Sequence, residues 1–485
     1  MLHEALRRLG KHSLIYALGP AAQKLIGFLL LPLVTAWVGT TADYGVGEMA
    51  AVTLAVAAQV AGINLLHGMT RFHAECTSER ERARLVTTTL LLLGATSSAF
   101  LLLCIGFRES GARLCFGDAR HATALVLTGL ILLLQSLAQV GLRYLQILQR
   151  SAAYGVLTTA KTLLEVGSKV WFLVGLGLSY LGLLGSVALG EGLVALLLVA
   201  WIVRRLGLSF SGALARRLWR YSAPLCLSGL LMFVLHQADR WFVLAERGEG
   251  EVGVYALCYK LGSAGNAVVF EAFGLIWFPF VFALRDEEER RELCRKIATL
   301  LTALLCFVSL GLALFARELV GLMADARYAE AWRGLPLVAA GYVFWALYQI
   351  VHTGFYLRER TGLVAWTTGL AALANLGLNA WLVPRLGWMG AAWATLATFA
   401  LLALLAWRLA ERVWPVRYEA GRVAALLALA AAVGAAGHFL SAQTGPASVL
   451  ARAALLGLFP LIVWGGGFLN RAEREMIRRT LSSRS

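Results

Sequence analysis

Five stretches of this chain, Leu14–Val38, Leu85–Phe107, Leu181–Val203, Ile297–Phe315 and Ser448–Leu469, are apolar with few or no charges. Each runs roughly 19–25 residues, at about 1.5 Å per residue, against a hydrocarbon core about 30 Å thick. Backbone in lipid must satisfy its own hydrogen bonds, and segments this long do so as helices rather than as barrel strands. With 59% hydrophobic residues over 485 positions, no water-soluble core could hide the remainder. The chain therefore reads as an all-α integral membrane protein.

Extending the apolar pattern along the sequence gives about 14 transmembrane helices, at 14–38, 45–67, 85–107, 121–142, 154–176, 181–203, 221–244, 252–283, 297–315, 334–357, 362–383, 387–407, 423–440 and 448–469. The first is read as a retained helix and not a cleaved signal, because its apolar run is too long and no small-residue cleavage site follows. Met1–His12 reads as a basic amphipathic segment on the membrane surface. With the first terminus inside, 30 of the 44 Lys and Arg residues fall in cytoplasmic segments, 8 in outer ones and 6 within spans. That bias sets both termini in the cytoplasm, and the expected location is the cell inner membrane.

The same placement disposes of a nucleic-acid reading of the +16 net charge, since the charges sit in short loops between spans. Seven scattered cysteines show neither C-x-x-C spacing nor a disulfide framework and read as small apolar packing residues. No metal site and no cofactor is expected. The outer loops Arg108–Arg120 and Ala316–Arg333 have room for a short helix and no more, which leaves a membrane glycosyltransferase or polymerase without a catalytic domain.

The sequence also repeats. Asp118-Ala119-Arg120-His121-Ala122 returns 207 residues later as Asp325-Ala326-Arg327-Tyr328-Ala329, and Glu165-Val166-Gly167-Ser168-Lys169-Val170-Trp171 is mirrored by Asn375-Leu376-Gly377-Leu378-Asn379-Ala380-Trp381. Six spans separate each pair, so the halves are parallel. The expected architecture is two six-helix lobes, 1–208 and 209–416, with two added C-terminal helices and a basic tail in 417–485. Transporters built from repeats place their substrate site near the bilayer midplane between the halves.

Ionisable residues inside spans cost roughly 2.5–3.5 kcal/mol each and so need a wet cavity or a partner. They crowd the first half and the start of the second: Lys24, Glu48, Lys161, Glu165, Lys169, Glu191, Asp239, Arg240, Lys260 and Glu271. Lys161, Glu165 and Lys169 are four residues apart and form one stripe. Asp239 and Arg240 point about 100° apart on a regular helix, so each is expected to pair with a different helix. Lys24, Lys161, Glu165, Lys169, Asp239, Arg240 and Lys260 are the candidate substrate-binding residues. Two readings stand side by side: a hydrated cavity attracting an anionic head group, and buried ion pairs that fix helix packing. His67, His236 and His352 read as packing or hydrogen-bonding residues.

Leu25-Ile26-Gly27-Phe28-Leu29-Leu30-Leu31-Pro32-Leu33 followed by Asp43-Tyr44-Gly45-Val46 is similar to the opening of the Wzx-type polysaccharide flippases of the MOP (MATE-like) exporter superfamily. Gln237-Ala238-Asp239-Arg240-Trp241-Phe242 and Val252-Gly253-Val254-Tyr255-Ala256 through Tyr259-Lys260 resemble its helix 7–8 region. The resemblance implies two lobes around a central cavity. It also implies export of an undecaprenyl-pyrophosphate-linked repeat unit by alternating access, for lipopolysaccharide or exopolysaccharide assembly. Lys24 and Lys260 match basic cavity residues of related lipid II flippases; at the helix-2 position only Arg71 is available. The implied partners are the lipid-linked oligosaccharide, membrane lipids and assembly proteins such as a polymerase. On this reading the chain is a transporter and not an enzyme. A drug or metabolite exporter of the same superfamily is the alternative, and an apolar gate admitting a lipid tail would discriminate the two.

Overall fold

A computed structural model describes residues 25–441, 445–466 and 468. Among them every regular element is helical. The chain divides into two compact units. One runs to Val254 and takes in Met323–Arg327, and the other comprises Tyr255–Leu322 and the chain from Tyr328 on.

The first unit holds α1 (Leu31–Trp37), α2 (Thr41–Ala61), α3 (Leu65–Glu75), α4 (Glu79–Gly106), α5 (Arg108–Phe116), α6 (Ala122–Ile147), α7 (Ser151–Val170), α8 (Ser179–Leu206), α9 (Gly212–Gln237), α10 (Asp239–Arg247) and the opening turns of α11 (Glu249–Ala283). The second holds the rest of α11, then α12 (Glu287–Leu314), α13 (Ala316–Met323), α14 (Leu335–Val351), α15 (Thr353–Leu357), α16 (Gly362–Leu386), α17 (Trp388–Val413), α18 (Ala420–Ser441) and α19 (Pro446–Gly465).

Eleven helices among the described residues, 20 to 29 residues long, are long and apolar enough to cross a membrane. Two further long helices, α7 and α11, carry the charged residues Lys161, Glu165, Lys169 and Lys260. Large apolar side chains such as Leu102, Leu196, Leu373 and Leu450 are about two-thirds exposed. Lipid makes that exposure favourable where water would not. Inside the first unit, Leu65, Met69, Leu85, Leu93, Val140 and Ile202 form a core of residues essentially without exposure. Polar groups at such depth find partners: Ser97 and Ser136 share a 2.8 Å hydrogen bond between α4 and α6, and Thr96 donates to the Ala61 carbonyl at 2.8 Å.

Several helices outrun the apolar blocks from which they were read. The α4 helix begins at Glu79, where Ser78 accepts from the Glu81 N–H at 3.2 Å, and α12 begins at Glu287, where Asp286 accepts from the Glu288 N–H at 3.2 Å. Acidic first turns and capping oxygens extend these helices into water ahead of their lipid-facing part. The expected span 45–67 is interrupted: Gly62, with φ +91°, ends α2, and α3 starts afresh.

The Arg108–Arg120 and Ala316–Arg333 loops each contain a short helix, α5 and α13, followed by a 3₁₀ turn at Ala119–His121 and at Ala326–Arg333. The aspartates that open the repeated motif cap these turns alike. Asp118 accepts from the Arg120 N–H at 2.9 Å and Asp325 from the Arg327 N–H at 3.0 Å. The duplicated sequence has kept its local geometry.

Candidate functional site

The helical spacing on α7 brings its stripe against α8. Lys161 Nζ lies 2.5 Å from Glu191 Oε1 on α8 and 3.6 Å from Glu165 Oε1 one turn along its own helix. Glu191 is nearly fully buried, and the side chains of Lys161 and Glu165 are 13% and 20% exposed. The Glu165 carboxyl lies over Gly190, where an added Cβ would overlap it; the missing side chain is what lets the carboxyl approach α8. Lys169, a further turn along α7, is half-buried. The result is one ammonium shared by two carboxylates, with a second ammonium on the same helix face. Counting charges in the sequence finds Glu191 but not its pairing with Lys161, which is set by tertiary packing.

In the second unit the corresponding helices meet through neutral polar groups. Asn375 and Asn379, the repeat counterparts of Glu165 and Lys169, are buried on α16. Asn379 Nδ2 donates to the Asn375 carbonyl oxygen at 2.9 Å, and Asn375 Nδ2 donates to Thr398 Oγ1 on α17 at 3.3 Å. Thr398 stands 207 residues beyond Glu191, and Asn375 and Asn379 stand 210 beyond Glu165 and Lys169. Corresponding helix pairs are therefore joined by polar groups, ionically in one unit and through neutral amide and hydroxyl groups in the other, though not through the same residue pair.

Asp239 and Arg240 are both buried, at 1% and 4% exposure, and they converge instead of diverging. Asp239 Oδ1 accepts from the Arg240 N–H at 2.9 Å and from its Nη1 at 3.2 Å, and Nη1 also donates to the His236 carbonyl at 3.1 Å. Both stand in the first turn of α10, and the long Arg240 side chain folds back over Asp239 toward His236. Lys260 is exposed in the second unit. Lys24 lies outside the described residues, as does Met1–His12. His352 behaves as a packing residue: its ring stacks on Tyr348 at 4.7 Å, and Nδ1 is 2.9 Å from the Tyr348 carbonyl oxygen.

A second polar cluster gathers at the repeated Asp-Ala-Arg motif. Arg120 Nη2 meets Glu249 Oε2 at 2.7 Å, His121 Nε2 meets Glu249 Oε1 at 2.8 Å, and His121 Nδ1 meets the Tyr180 hydroxyl at 2.9 Å. The first turn of α11 is thereby fastened to the start of α6. Arg327 in turn donates to the Thr35 and Ala36 carbonyls at 3.0 and 3.1 Å, at the negative end of the α1 helix. The carboxyl of Asp325 is held below the usual carboxylate range by hydrogen bonds from Arg327.

Beside this cluster α2 and α11 cross backbone to backbone. A Cβ on Gly45 would overlap the Glu249 carbonyl oxygen, and one on Gly253 would overlap that of Thr41. The contact is reciprocal, Gly45 against the Glu249 carbonyl and Gly253 against that of Thr41, a glycine on each helix letting the two backbones touch closely. Gly45 and Gly253 are 208 residues apart, so this too is a pair related by the repeat. Both glycines lie in the motifs that carry the family resemblance; their contact is invisible in either motif alone.

A sequence model of the polysaccharide biosynthesis protein family matches residues 40–333, more than half of the chain. The chain belongs to this family. That range takes in both crossing glycines, the α7–α8 cluster and the Asp239–Arg240 pair. Among curated relatives, this family member is 23% identical over 286 residues to the probable low-salt glycan biosynthesis flippase Agl15 of Haloferax volcanii. The match covers 58% of this chain and 59% of that protein, so it spans about three-fifths of the relative's length. Among solved structures, the lipid II flippase MurJ in an inward closed conformation superposes with a TM-score of 0.71 at 11% identity, covering 94% of this chain and 99% of that one. An inward-facing MATE multidrug transporter of the MOP superfamily superposes with a TM-score of 0.64 at 14% identity, covering 82% and 95%. The polysaccharide biosynthesis protein is thus a multi-pass membrane protein with the helical fold of these exporters.

Proposed function

We propose that this protein flips a lipid-linked oligosaccharide, an undecaprenyl-pyrophosphate repeat unit, across the bacterial inner membrane by alternating access. The observation that carries the reading is the charged stripe of α7 inside a membrane unit of a polysaccharide biosynthesis family member. A pyrophosphate needs cations at that depth and a neutral cargo does not. In this reading Lys24, Lys169 and Lys260 take the pyrophosphate. Lys161 and Glu165, tied to Glu191, hold the stripe in position, and Asp239–Arg240 stiffens the α9–α10 junction. The sugars cross in water and the polyprenyl tail stays in lipid, and no chemical step is asked of the protein. The drug-exporter alternative draws on the MATE likeness. That likeness covers less of the chain than the likeness to MurJ does, 82% against 94%.

The test is complementation of a flippase-deficient strain by Lys24→Ala, Lys169→Ala and Lys260→Ala, with folding and insertion checked for each. Loss of flipping with normal insertion is expected, with rescue by arginine at one position or more, since a multivalent anion reads charge above length. Full complementation by all three alanine variants would overturn the anion-site assignment.

A further inference from the structure

The end of α8 carries a feature that the flipping reading leaves unused. Leu196, Leu197, Ala200, Trp201, Arg204 and Arg205 line an open concavity of about 610 Å³. Its wall is apolar and exposed, with Leu196 at 71%, and Leu189 continues the same helix face two turns earlier. Its far end is cationic. The guanidinium carbons of Arg205 and of Arg150, which precedes α7, each lie 5.9 Å from the Trp201 ring centroid.

These arginines differ from several others near helix ends. Arg82 is 2.8 Å from Glu79, Arg217 2.5 Å from Glu75, Arg291 2.8 Å from Glu287 and Arg295 2.6 Å from Glu292. Among the described residues no carboxylate comes within 4.0 Å of Arg150, Arg204 or Arg205. Two guanidinium groups stand by one indole and a third, of Arg204, lines the same concavity, with no acid to neutralise them at the end of an apolar furrow.

We propose that this concavity is a binding site for an anionic glycerophospholipid. Arg204 and Arg205 receive the phosphodiester and its charged head group, Arg150 adds to the field, and an acyl chain lies along Leu197, Leu196 and Leu189. Arginine suits a phosphate because its planar fork gives two parallel hydrogen bonds. Trp201 supplies the amphipathic ring that sits at the head-group level of a membrane. A zwitterionic lipid fits the furrow equally well but brings its own cation toward the arginines, so the site discriminates by head-group charge.

The site does not depend on what the protein transports, and it is tested by binding. The full-length protein is reconstituted in nanodiscs of phosphatidylcholine with a minor fraction of phosphatidylglycerol, released, and its retained lipids are measured by native mass spectrometry. The wild type is expected to retain phosphatidylglycerol preferentially. The double substitution Arg204→Ala/Arg205→Ala should lower that preference about 25-fold, each arginine near a membrane surface contributing about a factor of five. Arg82→Ala/Arg217→Ala, which removes two acid-paired arginines, should leave it unchanged. Equal retention of the two lipids by the wild type would overturn the proposal, as would an equal loss in both double variants. Displacement of the bound lipid by polyprenyl pyrophosphate at equimolar concentration would also overturn it, because the furrow would then be a dock for the transported lipid.

Discussion

Lys161 lies 2.5 Å from Glu191 and 3.6 Å from Glu165, and the two acids differ in burial as well as in distance. Glu191 cannot lose its charge without leaving Lys161 short of its nearest partner in a place water hardly reaches. Breaking such a pair costs about 3 kcal/mol or more, whereas a longer, partly exposed pair is worth under about 1 kcal/mol. Glu191→Gln should therefore lower the unfolding midpoint of the detergent-solubilised protein markedly. Glu165→Gln should express near normally and alter transport. Equal destabilisation by the two would mean that Lys161 does not distinguish them. A further residue-level expectation concerns Arg452, buried on α19, which donates to the Leu314 carbonyl at 2.7 Å and pairs with Glu318 of α13 at 2.5 Å. The guanidinium holds the Glu318 carboxyl below the usual range. A depressed carboxyl contributes its stability in full above its ordinary pKa and loses it as the pH falls through the lowered one. Hydrogen exchange in Ala316–Met323 should accordingly rise only in acid. Arg452→Ala should raise it at neutral pH and remove the acid step; an unchanged step in that variant would assign it to another group.

At the scale of elements, the crossing of α2 and α11 makes the sharpest demand on sequence. Gly45→Ala or Gly253→Ala drives a methyl into a main-chain carbonyl, and overpacking of this kind costs about 1–3 kcal/mol. Each should reduce folded yield, and thermal unfolding in detergent measures the loss. Gly250→Ala meets only the Thr41 hydroxyl, at 3.4 Å, and should be tolerated. Stability of Gly45→Ala equal to that of Gly250→Ala would refute the close crossing. Eleven of the fourteen expected spans correspond to described helices long and apolar enough to cross a membrane, legible because hydrocarbon thickness imposes a length on each. Their ends were not: Glu79 and Glu287 begin helices by capping, which apolar counting ignores, and Gly62 breaks an apolar run by its φ alone. The α7 stripe was legible from four-residue spacing. Its partner Glu191 and the glycine crossing depend on a neighbouring helix, and the convergence of Asp239 with Arg240 on how a long side chain folds back, none of which periodicity within one segment encodes. The repeat held part of that missing information, since Glu191 with Thr398 and Gly45 with Gly253 fall at its spacing.

For the whole molecule, the distribution of basic residues predicts that both termini face the cytoplasm and that α5 lies outside. A single cysteine at Ser110, with the native cysteines replaced, should react with an impermeant thiol reagent on intact cells; labelling only after permeabilisation would invert the topology. Asn375 and Asn379 are neutral where Glu165 and Lys169 are charged, while the second unit keeps a buried ion pair of its own in Arg452 and Glu318. The glycine crossing carries a different kind of information. A main-chain contact is blind to which side chains surround it and sensitive only to which residue arrives there. Moving α2 by one position turns it about 100° and advances it 1.5 Å, bringing Tyr44 or Val46 to the carbonyl in place of Gly45. Neither can be accommodated, so the crossing serves as an index mark for the helix. From it the compass bearing of Glu48 and of every later residue on α2 is set, and a one-residue insertion between Gly45 and Glu48 would turn them all together.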